Sequence, residues 1–231
     1  MKDIIKNNLP KIFVAFLLIA IGVIGRLTLT ELLPSSPSIY LNLNGITQPL
    51  FMMDLFFIVA IITILSALFL KSYYVFIVPV AVLLITDMIL GNNLIFLFTW
   101  SGFAMIGLMF YLLKSKDKFT LKNTPLLFGT GIGSILLYDL WTNFGTWLGG
   151  SAWGYTYTIE SLAVCYTVGL PFMLWHILST TMAFGLIVLP ILYIKEKKLI
   201  KIDYTTQPIE KPVALSLLAV TMVLSVVFVL V

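Results

Sequence analysis

The sequence predicts an all-α, polytopic transmembrane bundle. Three observations carry that prediction: seven long apolar stretches, lysines confined to alternate gaps between them, and a composition too apolar for a soluble domain. Hydrophobic residues make up 60% of the 231 positions and charged residues 10%, with a mean hydropathy of +1.07.

The apolar stretches run approximately over 12–33, 50–70, 73–91, 94–113, 124–148, 168–194 and 212–231. Each is about long enough to cross a hydrocarbon core of roughly 30 Å at about 1.5 Å per residue. Lys2, Lys6 and Lys11 precede the first; Lys71 follows the second; Lys114, Lys116, Lys118 and Lys122 follow the fourth. Lys195, Lys197, Lys198, Lys201 and Lys211 follow the sixth, and the other gaps hold no Lys or Arg. Lysines resist translocation, so every gap agrees with one orientation in the cell membrane: N-terminus cytoplasmic, C-terminus extracellular. The chain then divides into a six-helix membrane core (1–194), a cytoplasmic basic linker (195–211) and one further C-terminal transmembrane helix (212–231). The start resembles a secretory signal, but its apolar run continues past Arg26 to Leu33 with no small-x-small cleavage site, so a permanent span is expected.

The net charge of +4 is accounted for by membrane orientation, and no basic stripe with interleaved aromatics remains to track phosphates. Nucleic acid is therefore not an expected partner; the lipid bilayer is. The lone Cys165 excludes an internal disulfide or a cysteine metal cluster. HExxH, GxSxG and glycine-rich phosphate loops are all missing and there is one His, so neither an enzyme nor a bound cofactor is expected.

Ionisable groups within hydrocarbon cost at least about 2.5–3.5 kcal/mol and usually face a protein interior or a wet cavity. Given the orientation, Arg26, Asp54, Asp87, Asp139 and His176 all map to the outer third of five spans. Spacing of three or four adds Asn143 and Thr146 to the face of Asp139, with Trp147 beside it; Thr180 joins His176, with Trp175 adjacent, and Thr30 joins Arg26. Such faces would enclose an outward-open polar pocket. Trp100, Trp141, Trp147, Trp153 and Trp175 map to the same level and suit a rim above it, or plain interfacial anchors. Arg26 equally suits a structural ion pair with Asp54, Asp87 or Asp139, and His176 a hydrogen bond between helices.

The first outer segment, from Leu33-Pro34-Ser35-Ser36-Pro37 to Pro49, is too rich in Pro and Ser for ordinary helix and long for a link, which predicts a lid. A second, Gly149-Gly150-Ser151-Ala152-Trp153-Gly154-Tyr155, sets glycine pivots among aromatics and leads into an expected short helix near 160–166. Gly129 and Gly133 have the spacing that lets helices approach closely.

From about Arg26 to Ile194 the chain resembles a family of small prokaryotic membrane proteins similar to the substrate-binding S components of energy-coupling-factor transporters. The likeness is carried by Leu33-Pro34-Ser35-Ser36-Pro37, Thr86-Asp87-Met88-Ile89-Leu90-Gly91, Thr142-Asn143-Phe144-Gly145-Thr146-Trp147-Leu148, and Leu162-Ala163-Val164-Cys165-Tyr166 leading to Pro171-Phe172. It implies a six-helix bundle holding a small organic compound near its outer face, with a separate transmembrane coupling protein and ATPases driving uptake. Two features depart from it: Ala15 and Ala20 are five apart where an Ala-xxx-Ala contact is usual, and a seventh span is added.

The leading expectation is a substrate-capturing membrane subunit. Arg26, Asp87, Asp139, Asn143 and His176 supply its polar contacts, and Trp147, Trp153 and Trp175 stack on the ligand. Three carboxylates against one fixed cation favour a neutral or cationic small molecule. The competing expectation is a structural or accessory subunit of a larger membrane complex; a third is a proton-coupled carrier with the Asp residues and His176 as relay.

Overall fold

The computed structural model describes residues 2–29, 31, 39–43, 46–50, 57–70, 74–91, 94–114, 116, 118–197 and 210–230. Asp54, Thr30, Lys71 and the Pro/Ser-rich 32–38 lie outside them. The described chain runs α1 (Lys2–Leu29), β1 (Ile39–Leu43), β2 (Ile46–Leu50), α2 (Ile58–Phe69), α3 (Tyr74–Leu90), α4 (Phe96–Lys114), α5 (Thr124–Leu148), α6 (Ile159–Ala183), α7 (Leu189–Glu196) and α8 (Glu210–Leu230).

The fold is a helical bundle, as the apolar runs predict, with one correction to the all-α expectation. Within the expected lid, β1 and β2 pair antiparallel in the register Ile39↔Leu50 to Leu43↔Ile46, and β2 lies against α6. Alternating Ile39-Tyr40-Leu41-Asn42-Leu43 supports a strand, and Pro49 suits an edge because it has no N–H to give a ladder.

β2 ends at Leu50, where the second span was expected to begin, and α2 runs over the 12 residues Ile58–Phe69. Phe57, just before it, has left-handed backbone (φ 47, ψ 57) and turns the chain into the helix; its carbonyl accepts from the N–H groups of Ala60 and Ile61. α2 is buried nearly all round by α1, α3 and α4. Its polar Thr63 and Ser66 return their hydroxyls to the carbonyls of Val59 and Thr63 at 2.7 and 2.8 Å, the economical solution inside an apolar core.

The other boundaries follow local chemistry. α3 stops where Gly91 adopts φ 84 and its N–H caps the Asp87 carbonyl. α5 opens with Pro125 in its first turn. α6 begins at Thr158, whose side chain accepts from the Ser161 N–H at 3.2 Å, with Glu160 in the first turn. The short helix expected near 160–166 is thus the first part of a 25-residue helix. α6 continues into α7 through a π-helical segment, Phe184–Val188. Pro190 explains it: lacking an N–H, it cannot donate back to Leu186, and the wider turn absorbs the gap. At the far end Glu196 accepts from the Leu121 N–H at 2.8 Å, and Lys195 donates to the Phe119 carbonyl, so the rod clasps the turn between α4 and α5.

Three helical rods are long and apolar enough to cross a membrane: Lys11–Thr28, Phe96–Leu113 and the continuous Ile159–Glu196. The helices over Ile58–Phe69, Tyr74–Leu90 and Leu215–Leu230 are apolar but shorter, and α5, though 25 residues long, is interrupted by Asp139, Asn143 and several Thr. Large apolar side chains such as Phe13, Phe16, Leu186, Val223 and Leu224 face outward, and this arrangement is compatible with membrane embedding.

α4 is the central helix, packed by α2, α3, α5 and α8. The last helix is not a free appendage. Ser225 of α8 donates to the Leu97 carbonyl at 2.9 Å and lies 3.1 Å from Ser101, which also accepts from Trp141 Nε1 at 2.8 Å, while Phe228 meets Phe96 edge-on. α8 therefore seals one side of α4, although its opposite face exposes Val220, Val223 and Val227.

Close helix approach is made elsewhere than at Gly129 and Gly133, where an added Cβ would meet nothing within 4 Å. At Gly145 it would lie 2.4 Å from the Phe98 ring, and at Gly107 2.4 Å from Val75. Gly145→Val should lower stability by about 1–3 kcal/mol through overpacking. Gly129→Ala, in open helix, should leave it unchanged or slightly raised; thermal unfolding of both variants in detergent checks the contrast.

Candidate functional site

The residues expected to share one chamber form two separate pairs. On one side, α1, α3 and α4 meet at Asp87. Arg26 Nη1 donates to Asp87 Oδ1 at 2.5 Å and also to the Thr86 hydroxyl oxygen. Trp100 Nε1 donates to Asp87 Oδ2 at 2.9 Å, so both carboxylate oxygens are occupied. Thr86 holds its place by donating to the Val82 carbonyl. Arg26 and Asp87 thus take the structural role: a charge-assisted lock between three helices, with Trp100 as its third member.

On the other side, α5 and α6 meet at Asp139 and His176. His176 Nδ1 lies 2.8 Å from Asp139 Oδ1, a hydrogen bond in which the imidazole N–H donates when the carboxyl is ionised. Asp139 is 3% exposed and His176 8%. Phe57 covers the imidazole face, with ring centroids 4.0 Å apart and planes inclined by 16°, while Tyr138 meets it edge-on at 5.9 Å. Phe57 and Tyr138 pack in turn on Phe103 of α4. Among the described residues, no hydrogen bond or ion pair joins this pair to Arg26 or Asp87.

Two polar atoms here are buried without a hydrogen-bond partner among the described residues: Asp139 Oδ2 and Thr180 Oγ1. Thr180 lies one turn beyond His176 on the same buried face of α6. Nearby hydroxyls are different: Thr142 bonds the Tyr138 carbonyl and Ser179 that of His176. A carboxylate oxygen kept dry and unmatched is costly. The chemistry it suits is acceptance from a donor or contact with a cation.

Asn143, one turn from Asp139, donates to the Asp139 carbonyl at 2.8 Å and sits in a notch left by Gly169, where a Cβ would come within 2.3 Å of its Oδ1. Cys165 Sγ donates to the Asn143 carbonyl at 3.3 Å. Thr146 returns its hydroxyl to Thr142 and adds nothing to the Asp139 site.

The tryptophans separate likewise. Trp147 donates to the Thr156 carbonyl at 3.0 Å and meets Tyr157 at 90°, in a chain of rings with Phe98, Trp141 and Phe144 that fastens the α5–α6 connection. That connection turns through Gly150 (φ 52) and Gly154 (φ 78). Trp153, 43% exposed in its single helical turn, packs near Gly149 apart from both pairs, and Trp175 is buried beside His176 on α6. Burial, and after it the Cys165 thiol, raise the Tyr155 phenol above its ordinary 10.0, so it remains a hydrogen-bond donor at physiological pH.

Sequence spacing missed Phe57 and Trp100 as a carboxylate partner, whereas it had joined Thr180 to His176. Phe57 gave no periodic signal within a continuous apolar run. Trp100 is 13 residues from Asp87 across a turn, beyond the reach of helical spacing rules.

Asp87→Asn should cost about 1–3 kcal/mol, less than a fully buried pair because Arg26 is partly exposed. The double variant Arg26→Met/Asp87→Leu should recover part of that loss. Thermal unfolding of the single and double variants measures both.

No curated protein and no solved structure matches the chain. Residues 6–202, which run from α1 through α7 and leave out α8, match a family of unknown function, DUF6580, and the chain belongs to that family.

Proposed function

We propose that this protein is a multi-pass membrane subunit that binds a small organic solute for uptake, with its site between α5 and α6 at Asp139, His176 and Thr180. The observation carrying the reading is that Asp139 Oδ2, on the carboxyl that His176 meets, and Thr180 Oγ1, one turn along α6 from His176, are buried without a hydrogen-bond partner among the described residues. An intramembrane carboxylate is usually retained for a ligand, an ion path or a lock. Asp87 has the features of a lock; Asp139 keeps one oxygen available.

Asn143 in its glycine notch would set the site's width, and Phe57 would hold the imidazole plane. The lysine pattern supports a cytoplasmic N-terminus, a seven-span arrangement and a site nearer the outer surface. The resemblance to S components supports a separate energy-coupling partner, because the sequence carries no nucleotide-binding loop.

A second reading, an accessory subunit of a larger membrane complex, is favoured by the Arg26–Asp87–Trp100 lock and the apolar outer face of α8. Purified protein should gain thermal stability with a solute from a panel of vitamins, amines and related metabolites. At a hundredfold excess over Kd the gain is about 2.7 kcal/mol. Asp139→Asn should abolish it, and Asp87→Asn should not. A panel without any shift, together with a stoichiometric native assembly lacking ATPases, would replace this reading with the accessory one.

A further inference from the structure

A concentration of positive charge lies at the far end of the α6–α7 rod from His176. Segments 114–122 and 195–201 together hold eight lysines against two acids, Asp117 and Glu196, a surplus of six positive charges. The structure fastens the described parts of these segments to each other: Glu196 accepts from the Leu121 N–H at 2.8 Å, and Lys195 donates to the Phe119 carbonyl. The bend between α4 and α5 is itself tied, because the N–H groups of Lys116 and Lys118 both donate to the Leu113 carbonyl and Asn123 Nδ2 donates to Thr120 Oγ1. Lysines from two distant gaps therefore share one surface. Orientation during insertion needs lysines in each gap; it does not need the two gaps joined.

Lys116, Lys118, Lys122 and Lys197 are exposed on this surface, and none pairs with a carboxylate among the described residues. Glu196 gives a carboxylate oxygen to a backbone N–H instead, and Asp117 lies outside the described residues. The surface also has an apolar side. Lys197 Nζ stands 5.4 Å from the centroid of the Tyr193 ring, and Tyr193 and its neighbour Ile194 are both exposed. An ammonium above an exposed ring suits a boundary between hydrocarbon and polar headgroups, where amphipathic side chains keep the charge in water and the stem on apolar surface. Two of the three rods long enough to cross a membrane, Phe96–Leu113 and Ile159–Glu196, end here, which puts the surface at the edge of a bilayer that contains them.

We propose that the α4–α5 bend and the end of α7 form a binding surface for the phosphate of an anionic phospholipid headgroup. Lys116, Lys118, Lys122 and Lys197 supply the charge, and Tyr193 meets the apolar part of the lipid. Ammonium groups bind phosphate as point charges and need no fixed fork. Each lysine near an anionic lipid surface strengthens binding roughly fivefold. The inference rests on membrane embedding of the bundle and is independent of the solute site at Asp139.

Full-length protein in neutral detergent, where orientation in a bilayer plays no part, would be titrated with short-chain phosphatidylglycerol and with phosphatidylcholine, and bound lipid counted by native mass spectrometry at several salt concentrations. Phosphatidylglycerol should bind in preference, and its binding should weaken as salt rises because the lysines are exposed. Lys118→Gln should weaken it about fivefold, and Gln at all four positions about a hundredfold or more. Arg at the four positions should retain it. Gln at Lys2, Lys6 and Lys11 of α1, a helix that packs on α2 and α3, should leave it unchanged. Equal loss from the α1 set would mean diffuse attraction, and equal binding of the two lipids would mean no charge recognition; either overturns the site. Glycerol phosphate binding as tightly as the lipid would assign the lysines to a soluble phosphate, and binding of a polyglutamate peptide in place of lipid would assign them to an acidic protein; both also overturn it. If the four-Gln variant does not fold, Lys118→Gln decides, and undiminished binding by that variant overturns the proposal. A metabolite panel without any hit removes the solute reading and leaves this surface standing.

Discussion

A carboxylate inside a helical bundle must have its charge answered, and the two buried aspartates of the described residues are answered differently. Asp87 receives a guanidinium on one oxygen and an indole N–H on the other. That arrangement ties α1, α3 and α4 together and leaves its acceptors occupied. Asp139 meets one imidazole nitrogen, and its second oxygen is buried without a partner among the described residues. The same residue type therefore has both oxygens taken at one place in the bundle and, among the described residues, one oxygen without a partner at the other.

The packing keeps the two halves distinct. α4 stands at the centre, its Trp100 turned to Asp87, while Phe103 one turn on joins the Phe57–Tyr138 cluster against His176. Glycines at Gly102 and Gly145 let the Tyr138 and Phe98 rings pack against neighbouring backbone and bring α4 and α5 close together. The short α2 completes this core, buried on nearly all sides with its own hydroxyls satisfied internally.

Much of this was legible in the sequence because membrane segments write their boundaries in hydrophobicity. The positions of α1, α3, α4, α5 and the long α6–α7 rod follow the apolar runs, and helical spacing placed Thr180 with His176 and Asn143 with Asp139. The hairpin was hidden because the run ending in Pro49 reads as lid or as the start of a span with equal ease; strand pairing depends on a partner that hydropathy cannot see. The single-chamber expectation went too far for a related reason. Depth along a helix can be counted from sequence, but azimuth relative to the other helices is set by packing, and azimuth separated Arg26 and Asp87 from Asp139 and His176. The tryptophans make the same point: Trp100, Trp147 and Trp153 share a level and have three different roles.

The π-helical segment Phe184–Val188 has a geometrical effect on everything after it. One surplus residue in a helix rotates the following side chains by about 100° relative to an unbroken α-helix. Because of this offset, Lys195 and Glu196 meet Phe119 and Leu121 while His176 and Thr180, earlier on the same rod, keep their inward bearing. The rod is thus phased twice, once for each end of the protein, and a change in pitch at its wide turn would swing the grip on the α4–α5 bend without unseating the imidazole.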